Sequence, residues 1–116
     1  VRRFILEAVA DPTWGAALLR IWAGSPVLAG ATATPLRDDL RLGQRRRRLR
    51  YRSEAAALDL VQGTVLAAMR TVLEGRAGAE HAEAVAGLLL RALGVAPAEA
   101  DRIAARPLPA GAPHRA

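Results

Sequence analysis

Residues 54–74 read EAAALDLVQGTVLAAMRTVLE, and this stretch decides the fold class. Apolar residues recur along it at helical spacing and form one stripe, which comprises Leu58, Val61, Val65, Met69 and Val72. Leu60, Leu66 and Leu73 point to other sides of the same helix. Because only a narrow polar strip remains, the pattern predicts a helix that is buried on more than one side.

The flanking segments are also helical, and capping residues, proline and glycine mark their ends. Ser53 precedes the long helix as an N-cap, and Asp11 followed by Pro12 is typical of a helix start. Pro35 lies inside a helical segment from residue 26 to about residue 47. Either a fresh helix begins there or one long helix continues with a kink, and we favour a kink or a brief break. No segment alternates like a strand, so we predict an all-α bundle of five or six helices.

A second helix is predicted over residues 79–93, with Glu83, Gly87 and Arg91 on the face opposite its apolar side. About 100 ordered residues cannot surround the long helix on their own, which favours a partner chain. We therefore expect the hairpin of residues 54–74 and 79–93 to form a four-helix interface in a homodimer. The predicted interface residues are Leu66, Arg70, Leu73, Val85, Leu88, Leu89, Ala92 and Leu93.

The composition argues against an enzyme. The chain has 116 residues, 52% of them hydrophobic and 3% aromatic, which fits one small globular domain. It contains no cysteine, and its two histidines, His81 and His114, lie too far apart in sequence to suggest a metal site. Ser25 and Ser53 occupy capping positions and have no base nearby. We therefore expect no catalytic residue, no metal and no cofactor.

The net charge of +6 is concentrated in one short run. All 17 basic residues are arginines, and eight of them lie between Arg37 and Arg52 beside only two aspartates. The densest part, from Arg45 to Arg52, has the composition that clamps phosphates or an acidic partner. We favour a solvated helix end, because an isolated run lacks a supporting basic face.

Nothing in the sequence indicates a membrane segment or a secretion signal. No stretch reaches about 18 apolar residues without a charge, and the first residues do not resemble a signal peptide. We therefore expect no membrane contact and a cytoplasmic location. The domain is expected to cover residues 1–106, and the Pro/Ala-rich residues 107–116 are expected to be a disordered tail.

Four stretches, taken in order, resemble the C-terminal domain of TetR-family transcriptional regulators. They are FILEAVADPTWGAALLR (residues 4–20), SPVLAGATATPLRDDLRLGQRRRRLR (25–50), AAALDLVQGTVLAAMRTVLEG (55–75) and LLLRALGVAPAEADRIAARPLP (88–109). The resemblance implies the effector-binding and dimerisation domain of a bacterial repressor. No residues match the family's N-terminal helix-turn-helix, so DNA binding is expected from a missing segment. The alternative is a free-standing α-helical adaptor that binds an acidic partner or RNA through the run from Arg45 to Arg52.

The resemblance also implies an effector cavity among the helices. Trp14, Ile21 and Trp22 fall on one helix face, where the indoles either contact a flat, apolar effector or are simply core. The predicted lining residues are Phe4, Trp14, Leu18, Trp22, Leu40, Val61, Gln62, Val65 and Met69. Gln62 is the polar group expected to orient the ligand, and Met69 suits a cavity that adapts its shape.

Overall fold

The computed structural model describes the backbone of residues 1–108 and the side chains of residues 1–25 and 33–108. This part of the chain forms six helices: α1 (Arg2–Ala10), α2 (Pro12–Gly24), α3 (Pro26–Arg45), α4 (Glu54–Leu73), α5 (Glu80–Ala92) and α6 (Pro97–Ala105). No strand occurs in it, so the prediction of an all-α bundle is confirmed. The expected disordered tail falls mainly on residues 109–116, which lie outside the described residues.

α2 and α4 begin directly after the capping residues that were predicted from the sequence. The Asp11 side chain accepts a hydrogen bond from the Trp14 N–H at 3.0 Å, and Ser53 Oγ accepts one from the Ala56 N–H at 3.1 Å. α3 is one helix through Pro35, which excludes a break or a fresh start at that point. Proline removes only one helical hydrogen bond there, and the bonds on either side keep the helix continuous.

α4 is the central helix of the bundle, because it packs against α1, α2, α3 and α5. The large side chains buried most completely are Ile5 of α1 and Met69 of α4, both 0% exposed. The buried residues of α4 are Ala57, Leu58, Val61, Val65, Ala68 and Met69. They include the predicted apolar stripe except Val72, which is half-buried and packs against the core. Contact with four helices explains why this face of α4 is apolar.

The inner face of α2 is rotated from the predicted one. Trp14 and Trp22 pack against the core as half-buried side chains, but Ile21 is 48% exposed and Gly15 is buried. A Cβ atom added at Gly15 would lie 3.0 Å from the Ala8 Cβ. Glycine therefore lets α1 and α2 approach closely at this point, and the face of α2 that carries Gly15 is turned inward.

α6 folds back on α5 and changes which face of α5 is buried. The prediction that Gly87 faces outward with Glu83 and Arg91 is wrong for Gly87, which is buried. A Cβ atom there would lie 3.3 Å from Asp101 Oδ1 and 3.8 Å from the Ala104 Cβ. Arg91 is exposed and donates hydrogen bonds to both carboxylate oxygens of Asp101, at 2.8 and 2.7 Å. The missing side chain at Gly87 thus makes room for α6.

An ion pair connects α3 to the start of α4. Arg41 Nη2 donates to Glu54 Oε2 at 2.9 Å, and Arg41 Nε donates to the other carboxylate oxygen. Arg37 Nε lies 3.6 Å from Glu54 Oε2. The hydrogen bond from Arg41, aided by the positive charges of Arg41 and Arg37, lowers the pKa of the Glu54 carboxyl below its ordinary value of 4.5.

Glu54→Gln is expected to destabilise the fold near neutral pH and to have no effect in acid. Because folding lowers the pKa of Glu54, its ion pair stabilises the chain above about pH 4.5 and is lost as the pH falls through the lower folded value. Urea unfolding of both chains near pH 7 and near pH 3 measures this difference. Glu99→Gln, which removes an exposed carboxylate 3.7 Å from Arg102, is the control with little expected effect. Equal destabilisation of Glu54→Gln at both pH values would contradict the expectation.

Candidate functional site

Three of the four aromatic side chains gather where α1 meets α2. The Phe4 ring stacks on the Trp14 ring, with centroids 6.4 Å apart and an angle of 14° between the ring planes. The centroid of the Phe4 ring also lies 5.5 Å from the centroid of the Trp22 ring. Both indoles pack against the buried core, and Phe4 remains 39% exposed. We call Phe4, Trp14 and Trp22 the aromatic cluster. It joins an apolar surface to the interior of the bundle.

The other predicted lining residues belong to the core or pack against it. Leu40, Val61, Val65 and Met69 are buried, and Leu18 packs against them from α2. The Gln62 side chain is half-buried on α4. The apolar residues of the predicted set are therefore contiguous with the aromatic cluster, and they are closely packed. Their role as an effector site stays a prediction.

Two open clefts lie on the described surface, and neither is lined by the predicted ligand-binding residues. The first has a volume of about 570 Å³ and is lined by Pro12, Thr13, Ala16, Ala17, Arg20 and Leu73. The second, which we call the arginine cleft, has a volume of about 620 Å³ and is lined by Gln44, Arg47, Leu49, Arg50, Tyr51 and Arg52. The sequence singled out this run for its charge, but the cleft exists only because the loop between α3 and α4 folds back.

Hydrogen bonds to the end of α3 hold the first half of this loop. The backbone N–H groups of Arg48 and Leu49 both donate to the Gly43 carbonyl, at 2.9 and 3.2 Å. The Leu49 side chain lies so close to Gly43 that an added Cβ would be 2.6 Å from Leu49 Cδ1. Arg47 adopts the left-handed conformation, with φ 58°, and this reverses the chain direction.

The second half of the loop is attached to the end of α5. The Arg50 N–H donates to the Leu93 carbonyl at 2.7 Å, and the Arg50 side chain lies against Gly94, which has φ 93°. The Gln44 side-chain amide donates to the Tyr51 carbonyl at 3.1 Å. The Tyr51 phenol oxygen is buried and has no hydrogen-bond partner among the described residues. A buried hydroxyl without a partner costs about 1–3 kcal/mol, which makes this group unusual.

The structure places part of the predicted dimer interface inside a single chain. Val85, Leu89 and Leu93 are only 8%, 6% and 6% exposed and belong to the core cluster. They are buried because α5 packs against α1, α4 and α6 of its own chain. Within the single chain these three side chains are mostly covered, and their contact with a second copy stays a prediction. Leu66 and Leu73 are half-buried.

The remaining predicted interface residues, Arg70, Leu88 and Ala92, are exposed, and Leu88 is 66% exposed. α4 adds a row that sequence reasoning did not assign to the interface. We call the apolar members of both helices the exposed hairpin residues: Ala56, Leu60, Gly63 and Ala67 of α4 with Leu88 and Ala92 of α5. The α4 members recur at intervals of four and three residues and so share one helix face. Only the packing of α1–α3 reveals that this face looks outward.

Among the described residues, α4 is the one helix long and apolar enough to cross a membrane by length and composition. It also carries Asp59 and Arg70, both exposed. The central helix of a helical bundle has the same apolar composition, so this is weak evidence for a membrane span.

The fold is thus an all-α domain in which aromatic side chains cover a contiguous apolar core, and the hairpin of α4 and α5 has one face in that core and another exposed. The chain matches the family model described as tetracyclin repressor-like, C-terminal domain, over residues 1–106. It therefore belongs to the C-terminal domains of the TetR family, which confirms the resemblance seen in the sequence. No curated protein and no solved structure gives a significant match. Domains of this family belong to regulators, and they generally dimerise and bind small-molecule effectors.

Proposed function

We propose that this chain is the effector-sensing and dimerisation domain of a bacterial transcriptional repressor that works in the cytoplasm. A small apolar or aromatic effector binds beside α1, α2 and α4. It shifts the DNA affinity of an N-terminal helix-turn-helix that these residues do not contain. The observation that carries the ligand site is the aromatic cluster, which lies over a buried apolar core while Phe4 stays partly exposed.

The close packing of the core suggests how the effector acts. Met69 is fully buried and Val65 nearly so, so an effector enters past the aromatic cluster and displaces α1 and α2 from α4. The bound effector therefore stabilises the arrangement in which α1 and α2 are separated from α4. Its binding increases the population of that arrangement. Gln62, half-buried on the same helix, orients a polar group of the effector.

α4 connects the ligand site to the proposed dimer interface. Val61, Val65 and Met69 lie on its buried side, and Leu60 and Ala67 are exposed. A rigid helix that moves at one face moves at the other, so a displaced α4 changes how two copies pair. The second copy is proposed to dock on the exposed hairpin residues, where small side chains permit close helix approach.

Titration with the neutral apolar fluorophore N-phenylnaphthylamine tests the ligand site. We expect saturable binding with energy transfer from Trp14 and Trp22, because both indoles lie at the site. Phe4→Ala is expected to weaken binding about fivefold, since an aromatic contact contributes about 0.5–1.5 kcal/mol. Ile21→Ala removes an exposed apolar side chain of α2 outside the aromatic cluster and is expected to leave the affinity unchanged. Absence of saturable binding, or equal affinities of the Phe4→Ala and Ile21→Ala variants, would count against the site.

A further inference from the structure

We propose that the arginine cleft binds a small anion that carries two or more phosphate groups, at a site separate from the apolar effector site. Three arginines, Arg47, Arg50 and Arg52, line the cleft together with Gln44, Leu49 and Tyr51. The guanidinium group is planar and presents paired N–H donors that match phosphate oxygens. The cleft therefore combines the right donors with a concave shape.

The charge of the cleft is not neutralised within the chain. In the described part of the molecule, the side chains of Arg47, Arg50 and Arg52 make no ion pair and no hydrogen bond. The nearest carboxylate along the sequence after the run, Glu54, is already paired with Arg41. Three cations lining one cleft repel each other, and a multiply charged anion relieves that repulsion.

The loop that carries these cations is preformed. Its backbone is bonded to the ends of α3 and α5, so binding does not have to order a flexible segment. Tyr51 lines the same cleft, and its hydroxyl group has no partner among the described residues. Because this hydroxyl oxygen is itself buried, it does not face an anion in the cleft, and Tyr51 contributes only part of the cleft wall.

The dimensions favour a small molecule over a nucleic acid. A volume of about 620 Å³ falls within the usual range of small-molecule sites. A nucleic acid is bound through basic residues spread over a face, whereas here the excess positive charge belongs to residues 37–52 alone.

Calorimetric titration of the 116-residue chain with inorganic pyrophosphate at low salt tests the proposal. We expect one pyrophosphate to bind per chain. The cleft variant carries Arg47→Gln, Arg50→Gln and Arg52→Gln. The control variant removes the same number of charges from the same run outside the cleft lining, through Arg45→Gln, Arg46→Gln and Arg48→Gln. We expect affinity to fall more than about tenfold in the cleft variant and less than about threefold in the control.

The two variants separate a built site from general attraction to positive charge. Equal losses of affinity, or no saturable binding of pyrophosphate to the parent chain, overturn the proposal. The proposal is also overturned if RNA or duplex DNA binds more tightly than pyrophosphate and if both variants weaken that binding equally. Such a result would mean that the arginine run binds nucleic acid. Glutamine keeps the Cβ and Cγ atoms with which Arg50 contacts Gly94, so both variants are expected to melt like the parent.

Discussion

Leu88→Arg is expected to convert the proposed dimer to a monomer without lowering the stability of the single chain. Leu88 is 66% exposed on α5, so an arginine there stays solvated in the monomer. In the proposed dimer, each of the two symmetry-related chains contributes one such arginine to the interface. Two new positive charges are therefore buried there. We expect the dimer dissociation constant to rise about a hundredfold or more, as a buried, unpaired charge costs several kcal/mol. Analytical ultracentrifugation over a range of concentrations measures this change.

Ile21→Arg is the matched control for this experiment. Ile21 is also a large apolar residue, 48% exposed, but it lies on α2 outside the hairpin. We expect this variant to remain dimeric, and Leu60→Arg, on the exposed face of α4, to dissociate like Leu88→Arg. If Leu88→Arg dissociates no more than Ile21→Arg, the hairpin is not the dimer interface.

Ile5→Ala is expected to lower the free energy of unfolding by about 3 kcal/mol. The side chain is 0% exposed and belongs to the same core cluster as Val65 and Met69 of α4, so the substitution leaves a cavity in the centre of the bundle. Buried isoleucine-to-alanine changes cost about 2–5 kcal/mol, because apolar contacts are lost and the cavity closes only in part. Urea-induced unfolding, followed by circular dichroism, measures the difference.

Val9→Ala, one turn further along α1, provides the comparison. Val9 is also β-branched but is 36% exposed, so its truncation is expected to cost less than about 1 kcal/mol. Similar losses in the two variants would mean that α1 does not pack on α4 as described.

The helices were predictable because the signals that form them are local. Ser53 and Asp11 cap α4 and α2 through hydrogen bonds that span three residues, and such pairs can be read from the sequence. The stripe from Leu58 to Met69 follows the helical repeat within one segment. The core face of α4 could therefore be predicted without knowing where the other helices lie.

The candidate sites were predictable only in part. The residues of the aromatic cluster were identified because aromatic side chains are rare in this chain, and the structure brings them together. Leu89 and Leu93 were assigned to the dimer interface because an apolar face does not indicate whether its own chain or a second copy covers it. The exposure of Leu60 could not be predicted for the same reason. The cleft around Tyr51 could not be predicted because a surface shape has no sequence periodicity.

The sequence by itself determined the all-α class, the helix boundaries to within about two residues, the core face of α4 and the family. The tertiary structure decided the rotations of α2 and α5, through the close contacts at Gly15 and Gly87. It also decided that the Arg2 guanidinium donates hydrogen bonds to the carbonyl groups of Ala104 and Arg106, both at 2.6 Å, at the end of α6. The physical reason is the range of the interactions. Helical hydrogen bonds and caps join residues three or four positions apart, whereas these contacts join distant residues that meet only when the whole chain has packed.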